Sequence, residues 1–439
     1  MITNNHPFQV NKDGHLEIGG IDTIDIAKKY GTPLYVYDVS IIRDNCKAFV
    51  NTFKELDVKA QVAYASKAFS SIAMLQVVKQ EGLSLDVVSE GELFTALQAN
   101  FPTDKIHVHG NNKSVQELTM AIQNNVGCIV VDNFYEIELL DKLLKTFDKK
   151  IDVLMRVTPG IVSKTHQYIM TGNEDSKFGF NLQNGQADKA FERLHGHDYI
   201  RFKGLHCHIG SQIFETDRFK TATDMLFKQL TKWNNLYGYI PEVLNLGGGF
   251  GIRYTEKDSP LQLESYVNTL VSVVKQHSSD LKIPMPEIWI EPGRSIAGNA
   301  GITLYKVGSM KKIPGIRDYI SVDGGMTDNL RPALYQAVYE GVIANKADRD
   351  ATQTVSVAGK CCESGDMLIK DLPVPDVESG DIFAVFSTGA YGYSMANHYN
   401  RFPNPAVVFV EDGKDKLVVR RETYQDIVKN DLSYEELLK

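Results

Sequence analysis

The run Val62-Ala63-Tyr64-Ala65-Ser66-Lys67 ends in a lysine. Strand alternation predicts Ala63, Ala65 and Lys67 on one face, with two small side chains beneath the amine. Such a lysine either snorkels to water or sits in a partly dry site, where a lowered pKa lets it form a Schiff base. Asn245-Leu-Gly-Gly-Gly-Phe-Gly251 follows another strand-like run. Consecutive glycines let backbone N–H groups close on a phosphate; the alternative is a flexible turn. Glu291-Pro-Gly-Arg294 carries a carboxylate and a guanidinium across a sharp turn, read either as groups aimed at a ligand or as a surface ion pair. His206-Cys207-His208 sets two imidazoles on one strand face. No carboxylate or cysteine stands near them at ligand spacing, so no metal is expected, and a flat ring stacking on a flat ligand suits His208 better. Cys361-Cys362-Glu363-Ser364-Gly365-Asp366 is turn-like and offers either a reactive exposed thiol or a buried structural one. Arg331 and Tyr335, in Asp328-Asn-Leu-Arg-Pro-Ala-Leu-Tyr, suit a carboxylate, which a guanidinium matches with two hydrogen bonds. Tyr391, flanked by glycines in Thr388-Gly-Ala-Tyr-Gly-Tyr, could reach a phosphate.

Residues so scattered need a scaffold that gathers them. Short apolar or β-branched runs recur at 62–65, 85–88, 106–109, 128–131, 153–157, 204–209, 243–246 and 288–290. Between them, stretches such as 91–100, 114–125, 135–146 and 219–237 carry apolar residues at helical spacing. Eight strand–helix units predict an α/β fold, a (β/α)8 barrel over 35–295, in preference to an open doubly wound sheet. Nearly every run ends in a polar residue: Lys67, Ser89, His109 with Asn111, Asp132, Arg156, His208, the glycine turn, and Glu291 with Arg294. A barrel brings all eight strand ends to one rim, where an open sheet gathers only a few. The run 34–37 is expected outside the barrel. Beyond residue 295 short strands take over, as at 321–325, 354–357, 381–386 and 406–410, so residues 1–34 plus 296–439 are expected to form a second, mainly β domain. The stretch 423–439 reads as a short tail helix.

Composition narrows the function classes. Of 439 residues, 43% are hydrophobic and 23% charged, which is globular rather than disordered. A net charge of -8 lacks the basic footprint of a nucleic-acid binder. Five scattered cysteines suit a reducing, cytoplasmic compartment rather than a disulfide framework. No run approaches a membrane span, and the N-terminus shows no signal-peptide pattern.

Taken in order, Tyr64-Ala-Ser-Lys-Ala68, Gly204-Leu-His-Cys-His-Ile-Gly-Ser211, Gly247-Gly-Gly, Glu291-Pro-Gly-Arg294, Cys362-Glu-Ser-Gly-Asp366 and Tyr391 resemble the motifs of fold-type III pyridoxal-phosphate decarboxylases, from about Gly31 to Asn404. Cys362-Glu-Ser and His109-Gly-Asn-Asn-Lys113 are similar to the branch that acts on meso-2,6-diaminopimelate. The resemblance implies an alanine racemase-like barrel, pyridoxal 5'-phosphate as cofactor, and decarboxylation of that substrate to L-lysine and CO2, the last step of lysine synthesis. It implies that Lys67 holds the cofactor, His208 stacks on its ring and Glu291 pairs with its ring nitrogen. Ser211, Gly248, Gly249, Pro292, Gly293, Arg294 and Tyr391 would hold it with them. Cys362 would be the proton donor. Arg294, Arg331, Tyr335, Glu363 and Tyr391 would bind substrate. Cys362 and Glu363 would come from the partner of a homodimer with shared active sites. Lys360-Cys361 departs from the Gly-Pro-x that often precedes the cysteine, leaving a second thiol beside it, and Glu90 stands where a glycine is frequent. The alternatives are a decarboxylase of ornithine, arginine or another basic amino acid, a racemase on the same fold, or a cofactor-binding regulator. Substrates without a distal carboxylate should not need a second arginine, and the regulator should have lost Lys67 or Cys362.

Overall fold

Apolar runs too short for helices, the first four barrel runs followed within a few residues by a helix-capping side chain, set the architecture. The structure, a computed structural model, describes residues 7–160 and 176–435. Eight strands, Ala60–Ala65 (β1), Ser84–Val87 (β2), Ile106–Val108 (β3), Cys128–Val131 (β4), Ile151–Thr158 (β5), Ile200–His206 (β6), Val243–Asn245 (β7) and Glu287–Ile290 (β8), pair in parallel with their sequence neighbours. Pairing of β8 with β1 closes the barrel, so no strand edge is left unpaired around the ring. The eight barrel runs and the four quoted helical stretches all fall on observed elements of the expected type, whereas the later run 321–325 meets the strand Arg317–Val322 only at its first two residues. Ser71, Ser89, Ser114 and Asn133 each accept a backbone N–H of the helix that follows, so helices restart within a few residues of a strand end. Short turns of this kind make the rim after β1 to β4.

The reading of Lys67 as an alternating strand residue needs correction. β1 stops at Ala65, and Ser66–Ala68 is a single 3₁₀ turn. Lys67 therefore leaves the rim on a turn, and strand alternation does not set its direction.

Contacts divide the chain into two compact units, one of residues 43–252 and 258–296 and the other of 1–42, 253–257 and 297–439. The second is mainly β. Its sheet runs Met367–Val374, Gln353–Ala358, Arg317–Val322, Gly301–Ile313, Leu34–Asp38, Ala406–Glu411 and Lys414–Val419 in spatial order, and Ile382–Val385 also pairs with Gly301–Ile313. Leu34–Asp38 lies outside the barrel, as expected. It pairs antiparallel with Gly301–Ile313 and in parallel with Ala406–Glu411, so the division at 34/35 cuts a strand of this sheet. Three of the longer strands escaped the sequence reading, Gly301–Ile313, Met367–Val374 and Lys414–Val419, as did short ones such as Leu16–Ile18 and Gly341–Ile343. The tail carries only the helical turn Tyr424–Val428, and residues 436–439 lie outside the described residues.

Candidate active site

Glu291 follows the last barrel strand and is 7% exposed. Its Oε1 accepts from Asn245 Nδ2 at 2.6 Å and lies 3.1 Å from His109 Nε2; its Oε2 lies 3.1 Å from His206 Nε2. These partners come from the ends of β3, β6 and β7, which only barrel closure brings together. Burial pushes the carboxyl upward, but the charges of His109 and His206, with the His206 hydrogen bond, outweigh it and hold Glu291 well below the usual range. His109 answers in the opposite direction. Burial disfavours its cation, yet Asp86, 3.6 Å away, and Glu291 raise it above the ordinary value. His206 is pushed down to about 4 by burial, so its neutral ring donates to Glu291. Asp86, buried at the end of β2, is raised to about 6, burial being the main cause. The result is a buried, ionised carboxylate with a cationic and a neutral imidazole against it. Ligand atoms of His109, His206 and Glu291 lie within 4.8 Å of one another, so the fold supplies the carboxylate partner that strand spacing did not show. In this arrangement the His206 ring hydrogen-bonds to the carboxylate and the His109 ring stands against it as an ion-pair partner.

The glycine turn lies beside this centre. A Cβ on Gly248 would stand 2.1 Å from the Glu291 carbonyl oxygen, and one on Gly249, whose φ is +103°, would stand 2.4 Å from the Gly210 carbonyl. Only glycine lets the turn press against two neighbouring strand ends. Gly248 N–H donates to His208 Nδ1 at 3.2 Å. That bond leaves Nδ1 without a proton, and burial together with the Lys67 and Arg156 charges pushes the imidazole well below its usual range. His208 is a neutral, oriented ring. Arg294, 7% exposed, donates from Nη2 to Ser211 Oγ at 3.0 Å. Among the described residues the Ser66 and Ser295 hydroxyls are buried without a hydrogen-bond partner. The exposed Lys67 sits between Ser66 and Ala68, and its charge reaches both Asp86 and His208. Lys67, His208, Ser211, Gly248, Gly249, Glu291, Pro292, Gly293 and Arg294 thus share the barrel rim. Asp86 and Asn245 were missed; the signal for each was a polar residue inside a short apolar run.

A second buried network braces the rim. Lys113 Nζ donates to the Gly110 and Val130 carbonyls and to Glu136 Oε1, each at 2.7 Å, and both charged side chains are 1% exposed. Glu136 Oε2 accepts the Asp132 N–H at 3.0 Å, and Asp132 Oδ1 accepts the Gly179 N–H at 2.9 Å.

Arg331, Tyr335, Cys362, Glu363 and Tyr391 belong to the mainly β unit. Arg331 is 8% exposed, donates to the Tyr339 hydroxyl, and stands 4.9 Å from the Tyr254 ring centroid. Burial works against its cation, but Tyr254 and Tyr339 more than compensate, and Tyr391 adds to them. Tyr335 ends the helix Arg331–Tyr335 and is half-buried. Tyr391 is also half-buried, at φ +60°. Cys362 and Glu363 are exposed, while Cys361 is half-buried.

Comparison with known proteins agrees with this geometry. The model of the pyridoxal-dependent decarboxylase pyridoxal binding domain matches residues 39–298. The chain is 60% identical over 424 residues to the diaminopimelate decarboxylase of Bacillus subtilis, covering 97% of each, and 61% identical to that of Bacillus methanolicus, covering 94% of this chain and 96% of the other. A solved diaminopimelate decarboxylase from M. jannaschii, in co-complex with L-lysine, matches with a TM-score of 0.92 at 34% identity over 100% of both chains. Among the described residues no helix is long and apolar enough to cross a membrane. The chain belongs to the pyridoxal-dependent decarboxylases, in the branch of the diaminopimelate decarboxylases.

Proposed function

We propose that the chain removes CO2 from meso-2,6-diaminopimelate to give L-lysine, using pyridoxal 5'-phosphate. The observation that carries the reading is the buried Glu291 carboxylate, kept ionised by two imidazoles at a rim that also holds a lysine and a glycine cradle. A phosphate-bearing cationic aromatic ring fits these groups. The neutral His208 ring offers a stacking face, Glu291 a counter-charge, and the Ser66 and Ser295 hydroxyls two unused donors. When bound, pyridoxal phosphate supplies the electron sink for the pair left as CO2 departs.

Lys67 would hold the cofactor through its amine. Glu291 would keep a proton at the ring nitrogen. Gly248, Gly249, the backbone of Pro292 and Gly293, Arg294, Ser211 and Tyr391 would hold the phosphate. Arg331 keeps its charge in a buried aromatic setting, which suits the distal carboxylate of a diamino diacid. Arg294, Tyr335, Glu363 and Tyr391 would complete the substrate site, with Glu363 facing the distal ammonium. Cys362 would give its proton to the carbon that lost CO2 and recover one from solvent. The barrel unit, 43–252 with 258–296, would carry the cofactor, and the mainly β unit would complete the partner's site in a cytoplasmic homodimer.

The test is CO2 release from meso-diaminopimelate, ornithine, lysine and arginine, with and without added pyridoxal phosphate. Release from meso-diaminopimelate alone, dependent on the cofactor and lost in Lys67→Ala, is expected. Release from ornithine or arginine instead would overturn the roles of Arg331 and Glu363. No release from any of the four would overturn the reaction.

A further inference from the structure

Two adjacent thiols in one turn are an ambiguity for a proton donor, and the turn that holds them is clamped from both sides. Asp366, 3% exposed, accepts the Cys361 N–H on Oδ2 at 2.8 Å and the Met326 N–H on Oδ1 at 2.6 Å. The Gly359 N–H donates to the Asp366 carbonyl at 2.9 Å, and the Lys360 N–H to the Gly324 carbonyl at 2.9 Å. The carboxylate sits between two glycines. A Cβ on Gly359 would lie 2.1 Å from it, and one on Gly325 would lie 2.5 Å from it. No side chain other than hydrogen fits on either wall, so the slot is shaped around this one acid. Across the turn, Cys362 N–H donates to Asn400 Oδ1 at 2.8 Å, and the Cys362 carbonyl accepts from the Tyr399 hydroxyl at 3.2 Å. Cys361 is thereby drawn inward and Cys362 outward. The Asp366 carboxylate is also the negative neighbour of the Cys361 thiol. Burial and that negative neighbour push it up to about 11, where it is a poor nucleophile and a poor acid at neutral pH.

We infer that Asp366 is a positioning residue that sorts the two thiols, fastening Cys361 as an inert group and leaving Cys362 as the sulfur that acts. The same carboxylate fixes the Met326 N–H, five residues before Arg331, so one acid sets both the proton-donor turn and the loop that leads to the substrate-binding arginine. The inference rests on Cys362 being the proton donor of the proposed reaction.

The first measurement is the order of alkylation. The cofactor-loaded protein is treated with iodoacetamide, and fragmentation of the tryptic peptide Cys361–Lys370 reports which sulfur is labelled. Cys362 should label first in the native protein, and Asp366→Asn should speed labelling of Cys361 by roughly tenfold or more. The second is decarboxylation in D2O. The native protein should place deuterium in a single configuration at the carbon that lost CO2, and Asp366→Asn should give a mixture, which a merely structural loss of activity would not. Cys361→Ala should keep native turnover and configuration. Equal labelling of both thiols in the native protein would overturn the inference, even if Asp366→Asn failed to fold. So would an unchanged labelling order in Asp366→Asn, or loss of turnover in Cys361→Ala. Absence of CO2 release by the native protein would instead overturn the proposed reaction, and the labelling order would still decide the sorting of the thiols.

Discussion

A buried carboxylate keeps its charge only where other groups repay its lost hydration, and Glu291 has His109, His206 and Asn245 to do so. Held below its ordinary 4.5, Glu291 contributes stability that is present above that value and is lost as pH falls through its lower folded one. His109 is raised above 6.5, so its contribution is complete below 6.5 and is lost as pH rises through its higher folded value. The pair therefore stabilises the rim across the interval between. Glu291→Gln removes one of the two anions that raise His109, and the imidazole titration followed by NMR should move to lower pH. Turnover should fall on the order of 10²–10³-fold, the usual loss when one preorganised electrostatic group is removed. An unmoved His109 titration would show that Glu291 is not its counter-charge. The candidate residues were legible in sequence wherever a reactive type ended an apolar run, as at Lys67, His208 and Glu291. The partners of Glu291 were not. Nothing in the spacing of Asp86, His109, His206 and Asn245 says that they meet, since they come from four different strands and are joined only when the sheet closes.

At the level of elements, the parallel strands could be read because both of their faces are buried, which leaves continuous apolar runs. Gly301–Ile313 could not. Its first half is buried, but its second half carries Gly308, Ser309, Lys311 and Lys312 on an exposed hairpin arm. Lys414–Val419 fails for the same reason, being half polar and without a buried residue. The Lys113–Glu136 pair shows a different use of polarity. It ties the loop after β3 to the end of β4 and to the helix Phe134–Phe147, and all three ammonium protons of Lys113 have acceptors. A buried pair of this kind adds little net stability over an apolar one but makes its single-partner variants costly. Lys113→Met should lower unfolding free energy by about 3–5 kcal/mol, because Glu136 then keeps only the Asp132 N–H. The double variant Lys113→Met/Glu136→Leu should recover much of that loss. Chemical denaturation of the four proteins closes the cycle; additive losses would mean that the two side chains do not act as a pair.

For the whole molecule the central question is whether one chain can complete its own site. The proposed proton donor and the proposed cofactor lysine lie in different compact units, and Cys362 and Glu363 are exposed. Tyr399, whose hydroxyl holds the Cys362 carbonyl, is itself 41% exposed. An aromatic ring and a reactive turn left open together suit a surface that a second copy covers. If sites are shared between copies, each pairs Lys67 of one chain with Cys362 of the other. Lys67→Ala and Cys362→Ala should then both be inactive alone. After they are mixed and allowed to exchange, half of the dimers combine the two chains. Each of these holds one site with both native residues and one with neither, so activity should return to about one quarter of native. A site built within a single chain would give no recovery at any ratio, because every site would still lack one of the two groups. The recovery should also track the mixed-dimer fraction measured by native mass spectrometry, rising and falling with it as the ratio of the two variants is changed.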